Sequence, residues 1–182
     1  PAGQSIEHAR LDIVAAYYGS NGEAAALGKG TAPSAALREQ VRKVDALLDD
    51  AQVAASNADA LTYLGESFFT AVKASGMASA AKFNQRFARV MDAAADDRRF
   101  AEPDRLSAVH RKLQANKIIT GAIPDDMLKN GLARLDAALA ASQVPHERSG
   151  VINSAMWIYD LLDRDADAYA LLLAELPKSA TP

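Results

Sequence analysis

The sequence predicts an all-α protein built as stacked antiparallel helical hairpins, a tetratricopeptide- or HEAT-like α-solenoid of seven or eight helices. Three observations predict it. Apolar residues recur at helical spacing through most of the 182 residues, and no run alternates with period two over more than a few positions. The hydrophobic fraction of 49% is rich in alanine, the best helix former. The 10 glycines and 7 prolines fall mostly between the helical runs, where they punctuate rather than interrupt.

The first helix is expected on Ile6, Ile13, Val14 and Tyr17, with Gly19 as its C-terminal stop. A glycine-rich stretch, about 19–34, is the longest break and reads as a flexible connector. The second helix starts after Pro33-Ser34 and carries Leu37, Val41, Val44, Leu48 and Ala51 on one stripe. Ser56-x-x-Asp59 has the form of a capping box, with Asp in place of Glu. The third helix then presents Leu61, Leu64, Phe68 and Val72 and ends at Gly76.

Phe83, Phe87, Val90, Met91 and Ala94 mark the fourth helix. Pro103 suits a first helical position, and Leu106, Val109 and Leu113 follow it. Gly121 and Pro124 close the fifth helix and open the sixth, which carries Leu128, Leu132, Leu135 and Leu139. Pro145 starts a seventh with Val151, Ala155, Ile158, Tyr159 and Leu162, and Tyr169, Leu172, Leu173 and Leu176 mark a short eighth. Ile118-Ile119 is too short and isolated to be a strand. Helix pairs spaced by roughly 40 residues lie near the known helical-repeat periods. The run from Leu37 to Leu48 echoes the run from Leu128 to Leu139. One domain is therefore expected over 1–182. The first residue is Pro1, not an initiator Met, so a processed chain or a piece of a longer one is expected.

Composition narrows the function classes. Zero cysteines exclude disulfides, thiol catalysis and zinc-thiolate sites within this chain. A net charge of −3 without a dense basic patch argues against nucleic-acid binding. No run approaches the ~18 apolar residues of a membrane span. Gly28-Lys29-Gly30-Thr31 lacks the first glycine and the preceding strand of a phosphate loop. Asp163-x-Asp165-x-Asp167 has the spacing of a calcium loop. The turn position is Ala168 and position 12 is Ala174, so an acidic helix start is the better account. His8, His110 and His146 show no paired-ligand spacing. No catalytic residue, metal site or cofactor is expected. Trp157, Tyr159, Phe68 and Phe87 are the side chains expected to line any apolar ligand or partner site between helices.

The stretch from Asn153 to Pro182, above all Ala174-Glu-Leu-Pro-Lys-Ser-Ala-Thr-Pro182, resembles the C-terminal, tetratricopeptide-like helical region of certain bacterial exported thioredoxin-family proteins. The resemblance covers about a sixth of the chain. It implies the helical module of such a protein without its redox domain, in the periplasm or otherwise exported. The cytoplasm is the alternative compartment. No catalytic residue carries over, because the family's redox chemistry needs cysteine. The expected function is a non-catalytic interaction or scaffold module with an unidentified protein partner. The alternative is a helical-bundle sensor or carrier for an apolar small molecule.

Overall fold

The computed structural model describes residues 5–179, and among them every regular element is an α-helix. In order these are α1 Ile6–Gly22, α2 Ala24–Leu27, α3 Ala35–Leu47, α4 Ala51–Ser56, α5 Ala58–Leu61 and α6 Glu66–Lys73. There follow α7 Met77–Asp96, α8 Glu102–Thr120, α9 Asp125–Ala141, α10 Pro145–Leu161 and α11 Asp165–Ser179. The all-α class is thus observed.

Against the seven or eight helices expected, eleven are found among the described residues, for three local reasons. The 19–34 connector contains α2, whose Leu27 is buried. Glu23 accepts hydrogen bonds from the backbone and hydroxyl of Ser34, which ties the two ends of that segment together. The second helix stops at Leu47, because Asp50 caps α4 by accepting from the amides of Gln52 and Val53. Ala51 is consequently exposed instead of extending the stripe. The third run is split at Gly65 into α5 and α6, although Leu61, Leu64, Phe68 and Val72 are all buried as expected.

Two expected terminators act differently. The Ser56 capping box does not form. Asn57 occupies that junction, and its side chain donates to the carbonyls of Ile6 and Val53. α1 runs past Gly19 to Gly22, and its buried face is Ala9, Ile13, Ala16 and Ser20. Gly19 serves close packing: a β-carbon there would run into the carboxamide of Gln40 on α3. Small residues on α1 let α3 approach, which leaves Leu11, Val14 and Tyr18 facing outward.

Contact registers give the helix directions. Asn84 meets Asn116, Asp92 meets Lys112, and the Ala95 carbonyl meets Arg105, so α7 and α8 are antiparallel. Pro103 lies against Gly150, His110 against Trp157, and Lys117 against the Leu161 carbonyl, so α8 and α10 run parallel. The N-terminal part is a cluster in which α1 touches α3, α4, α5 and α6, so contacts there reach beyond nearest neighbours. The echoing runs on α3 and α9 bury matching positions, Val44 with Leu135 and Leu47 with Ala138.

The core has two parts. Phe68, Phe69, Phe83 and Phe87 form a fully buried aromatic cluster between α6 and α7, with Phe83 and Phe87 stacked at 5.6 Å. Around it, α8 is the hub, packed against α6, α7, α9 and α10. Leu106, Ala108, Val109, Leu113, Ala115 and Ile119 are all buried, which is more of the helix than a single stripe. Gly121, in the left-handed conformation at φ 88°, ends α8 as its sequence position predicts.

Two glycine substitutions should separate packing from propensity. At Gly150 a β-carbon would sit 2.6 Å from the Pro103 ring, which cannot rotate away. Gly150→Ala should therefore destabilise by about 1–2 kcal/mol despite the better helix former. At Gly22 a β-carbon meets nothing within 4 Å. Gly22→Ala should gain about 0.5 kcal/mol. Urea denaturation of both variants checks the pair of signs.

Candidate functional site

The structure separates the four expected site residues. Phe68 and Phe87 are 0% exposed inside the aromatic cluster. Tyr159 is buried on α10 with the Arg164 guanidinium 5.8 Å over its ring. Burial, with Asp136 and Asp167 nearby, holds its hydroxyl above the usual tyrosine range. Trp157 is 45% exposed, and its ring neighbour is His110 on α8 at 6.1 Å. None of the four lines any of five surface depressions found among the described residues. The reason is the helical period. Trp157 and Tyr159 are two residues apart, so they point to different sides of α10.

An apolar groove lies beside α11. Leu139 of α9, Pro145, Arg148 and Ile152 of α10, and Leu172 and Leu176 of α11 line a groove of about 630 Å³. Tyr169, Leu172, Leu173 and Leu176 stand at i, i+3, i+4 and i+7 on α11, and all four are exposed. The helix turns Ala168 and Leu171 toward the core, and both are only partly buried. Carboxylates at Asp165 and Asp167 occupy its first turn, which is the acidic start expected from the sequence. Asp163, at φ 56°, reverses the chain between α10 and α11.

One side chain sets the shape of this groove. The Arg148 guanidinium donates to the carbonyls of Leu139 at 2.6 Å and Ser142 at 3.0 Å, at the C-terminal end of α9. Its other nitrogens donate to both Glu175 oxygens on α11, at 2.9 and 2.5 Å. Three helices are therefore held by one planar fork. The Glu175 carboxylate raises the Arg148 guanidinium above its ordinary range, so the pair stays charged. Sequence reading missed this link because Arg148 and Glu175 belong to helices whose mutual register no local pattern encodes.

Among the described residues, no three His, Cys, Asp or Glu side chains are placed to hold a metal ion. No helix among them is long and apolar enough to cross a membrane. Two buried polar groups stand out. Asn84 donates to Asn116 at 2.7 Å across the α7–α8 hairpin, and Asn116 in turn donates to the Ala122 carbonyl. His110 is 7% exposed, and its Nδ1 has no hydrogen-bond partner. Burial, with Arg111 adjacent, lowers its pKa to about 4. No family model matches the chain, and no curated protein or solved structure matches it.

His110 should make stability depend on pH in a defined direction. Its folded pKa of about 4 lies below the ordinary value of 6.5. Between those values the unfolded chain binds a proton that the folded chain does not. The contribution is complete above pH 6.5 and is lost as pH falls toward 4, by roughly 3 kcal/mol. Relative to the parent protein, His110→Leu should lose less stability between pH 7 and pH 4. Denaturation curves at both pH values, followed by the fluorescence of the single tryptophan, check it.

Proposed function

We propose that this chain is a non-catalytic helical interaction module whose C-terminal face binds an amphipathic helix of a protein partner. The observation that carries the reading is the exposed stripe of Tyr169, Leu172, Leu173 and Leu176 beside the groove on α9 and α10. An apolar ridge next to an apolar trough, with helical spacing, suits a helix presenting anchors at i, i+3, i+4 and i+7. A stripe of four large apolar side chains on one terminal helix is more than scattered surface hydrophobics require. The polar fork of Arg148 with Glu175 holds α11 in register without filling the groove.

The stretch that resembles the helical region of exported thioredoxin-family proteins includes the second half of α10 and all of α11, and its residues 180–182 lie outside the described residues. We therefore read the module as the helical appendage of such an exported protein, with the partner helix contributed by the protein it serves. The closed aromatic cluster around Phe68 and Phe87 favours this reading over an apolar small molecule held between those helices.

A photo-crosslinking residue placed at Leu172 in the source cells tests the proposal. The reading expects a discrete polypeptide adduct that Leu176→Asp abolishes. The same reporter at Lys82, exposed on α7, should give none. No adduct at Leu172, or the same adducts from both positions, would contradict it.

A further inference from the structure

A second aromatic surface lies on the opposite part of the sequence. Three of the five tyrosines meet there. Tyr17 is half-buried and forms a floor. The Tyr18 ring stands at 70° to it with centroids 5.1 Å apart, and the Tyr63 ring stands at 68° with centroids 6.4 Å apart. Tyr18 and Tyr63 are 70% and 63% exposed, so both walls are open to a ligand. Ile13, Val14 and Ala60 complete an apolar cleft of about 300 Å³. Tyr63 also borders a second depression of about 230 Å³, where Asp59, Phe100 and Asp104 are found. One tyrosine thus forms the ridge between two adjoining troughs.

We propose that this pair of troughs binds a proline-rich, extended peptide carrying a basic residue. Four features select that occupant. Proline rings pack flat against exposed tyrosine faces, and a polyproline II segment is already ordered, so little entropy is lost on binding. Such a segment has no internal hydrogen bonds, and its carbonyls need donors. Among the described residues the hydroxyls of Tyr17, Tyr18 and Tyr63 make no hydrogen bond, although Arg111 and Arg10 interact electrostatically with Tyr17 and Tyr63, so each hydroxyl is available to donate. Two troughs across one ridge fit successive turns of an extended chain, whereas a compact ligand would fill one. The second trough is acidic: Arg10 engages Asp59 at 3.1 and 2.7 Å, while Asp104 has no ion-pair partner among the described residues. A basic residue of the peptide supplies that partner.

The proposal concerns a surface distinct from the α10–α11 groove, and its outcome leaves the reading of that groove untouched. The test is fluorescence anisotropy with three labelled probes. They are an oligoproline ending in arginine, an oligoproline ending in alanine, and a leucine-rich amphipathic helical peptide. The arginine-ended oligoproline should bind saturably and more tightly than the alanine-ended one. Tyr18→Ala and Tyr63→Ala should each weaken it about tenfold. Tyr63→Phe, which keeps the ring, should weaken it less. Asp104→Asn should weaken only the arginine-ended probe. Because Tyr18, Tyr63 and Asp104 are exposed, circular dichroism should show each variant folded. Absence of saturation by either oligoproline, equal binding by the tyrosine variants, or binding of the helical probe alone would overturn the proposal.

Discussion

The rest of the structure depends on the way α8 satisfies the ends of other helices. A helix leaves its last carbonyls without intrahelical partners, and cations favour that end. Three cations spaced along α8 supply the missing donors. Arg105 donates to the Ala95 carbonyl near the end of α7 at 2.8 Å. Arg111 donates to the Thr62 carbonyl after α5 at 2.6 Å. Lys117 donates to the Leu161 carbonyl at the end of α10 at 2.5 Å. Arg134 of α9 also reaches Ala95, and Arg148 of α10 reaches the end of α9. Apolar burial is non-directional. These charged hydrogen bonds are directional, and they fix which helix end meets which side of the hub.

That arrangement also explains why α11 differs. Among the described residues its neighbours hold it through Glu175 and through partly buried Ala168 and Leu171, and none of them forms a buried stripe. The apolar residues that an interior helix would bury remain outside on α11. The groove is the space left when one polar fork, instead of interdigitated leucines, sets the distance between α10 and α11. α1 shows the complementary case. Its buried face is made of Ala9, Ile13, Ala16 and Ser20, so α3 sits close and the larger Leu11, Val14 and Tyr18 turn outward.

Much of the fold was legible in the sequence because helical spacing is a local signal. The stripes on α3, α6, α7 and α10 are buried largely as read, with Phe83, Phe87 and Met91 at 1% exposure or less. Junctions were less legible. Asp50 as a cap and Gly65 as a break are single-residue events inside longer periodic runs. The candidate sites were hardly legible. Which face of α11 is exposed depends on whether another helix covers it, and periodicity does not encode that. Tyr63 joins Tyr17 and Tyr18 through a contact spanning over forty positions. Trp157 was visible as unusual, but its neighbour His110 was not, since that pairing follows from the parallel register of α8 and α10.

Cation-to-carbonyl links from the hub hold the helices in place, and the urea stability of Arg111→Met reads one such link. Arg111 is half-buried, donates to Thr62 and Gln114, and has its guanidinium lowered from the ordinary range by burial. Arg42→Met is the control, since among the described residues the ion-pair partner of Arg42 is Glu39 on the exposed face of α3. Arg111→Met should lose about 2–3 kcal/mol, because a charged donor is removed from a helix end. Arg42→Met should leave the stability essentially unchanged, since solvent screens the exposed pair. Equal stability of the two variants would mean that these links do not hold the helices, and that the fold rests on apolar packing alone.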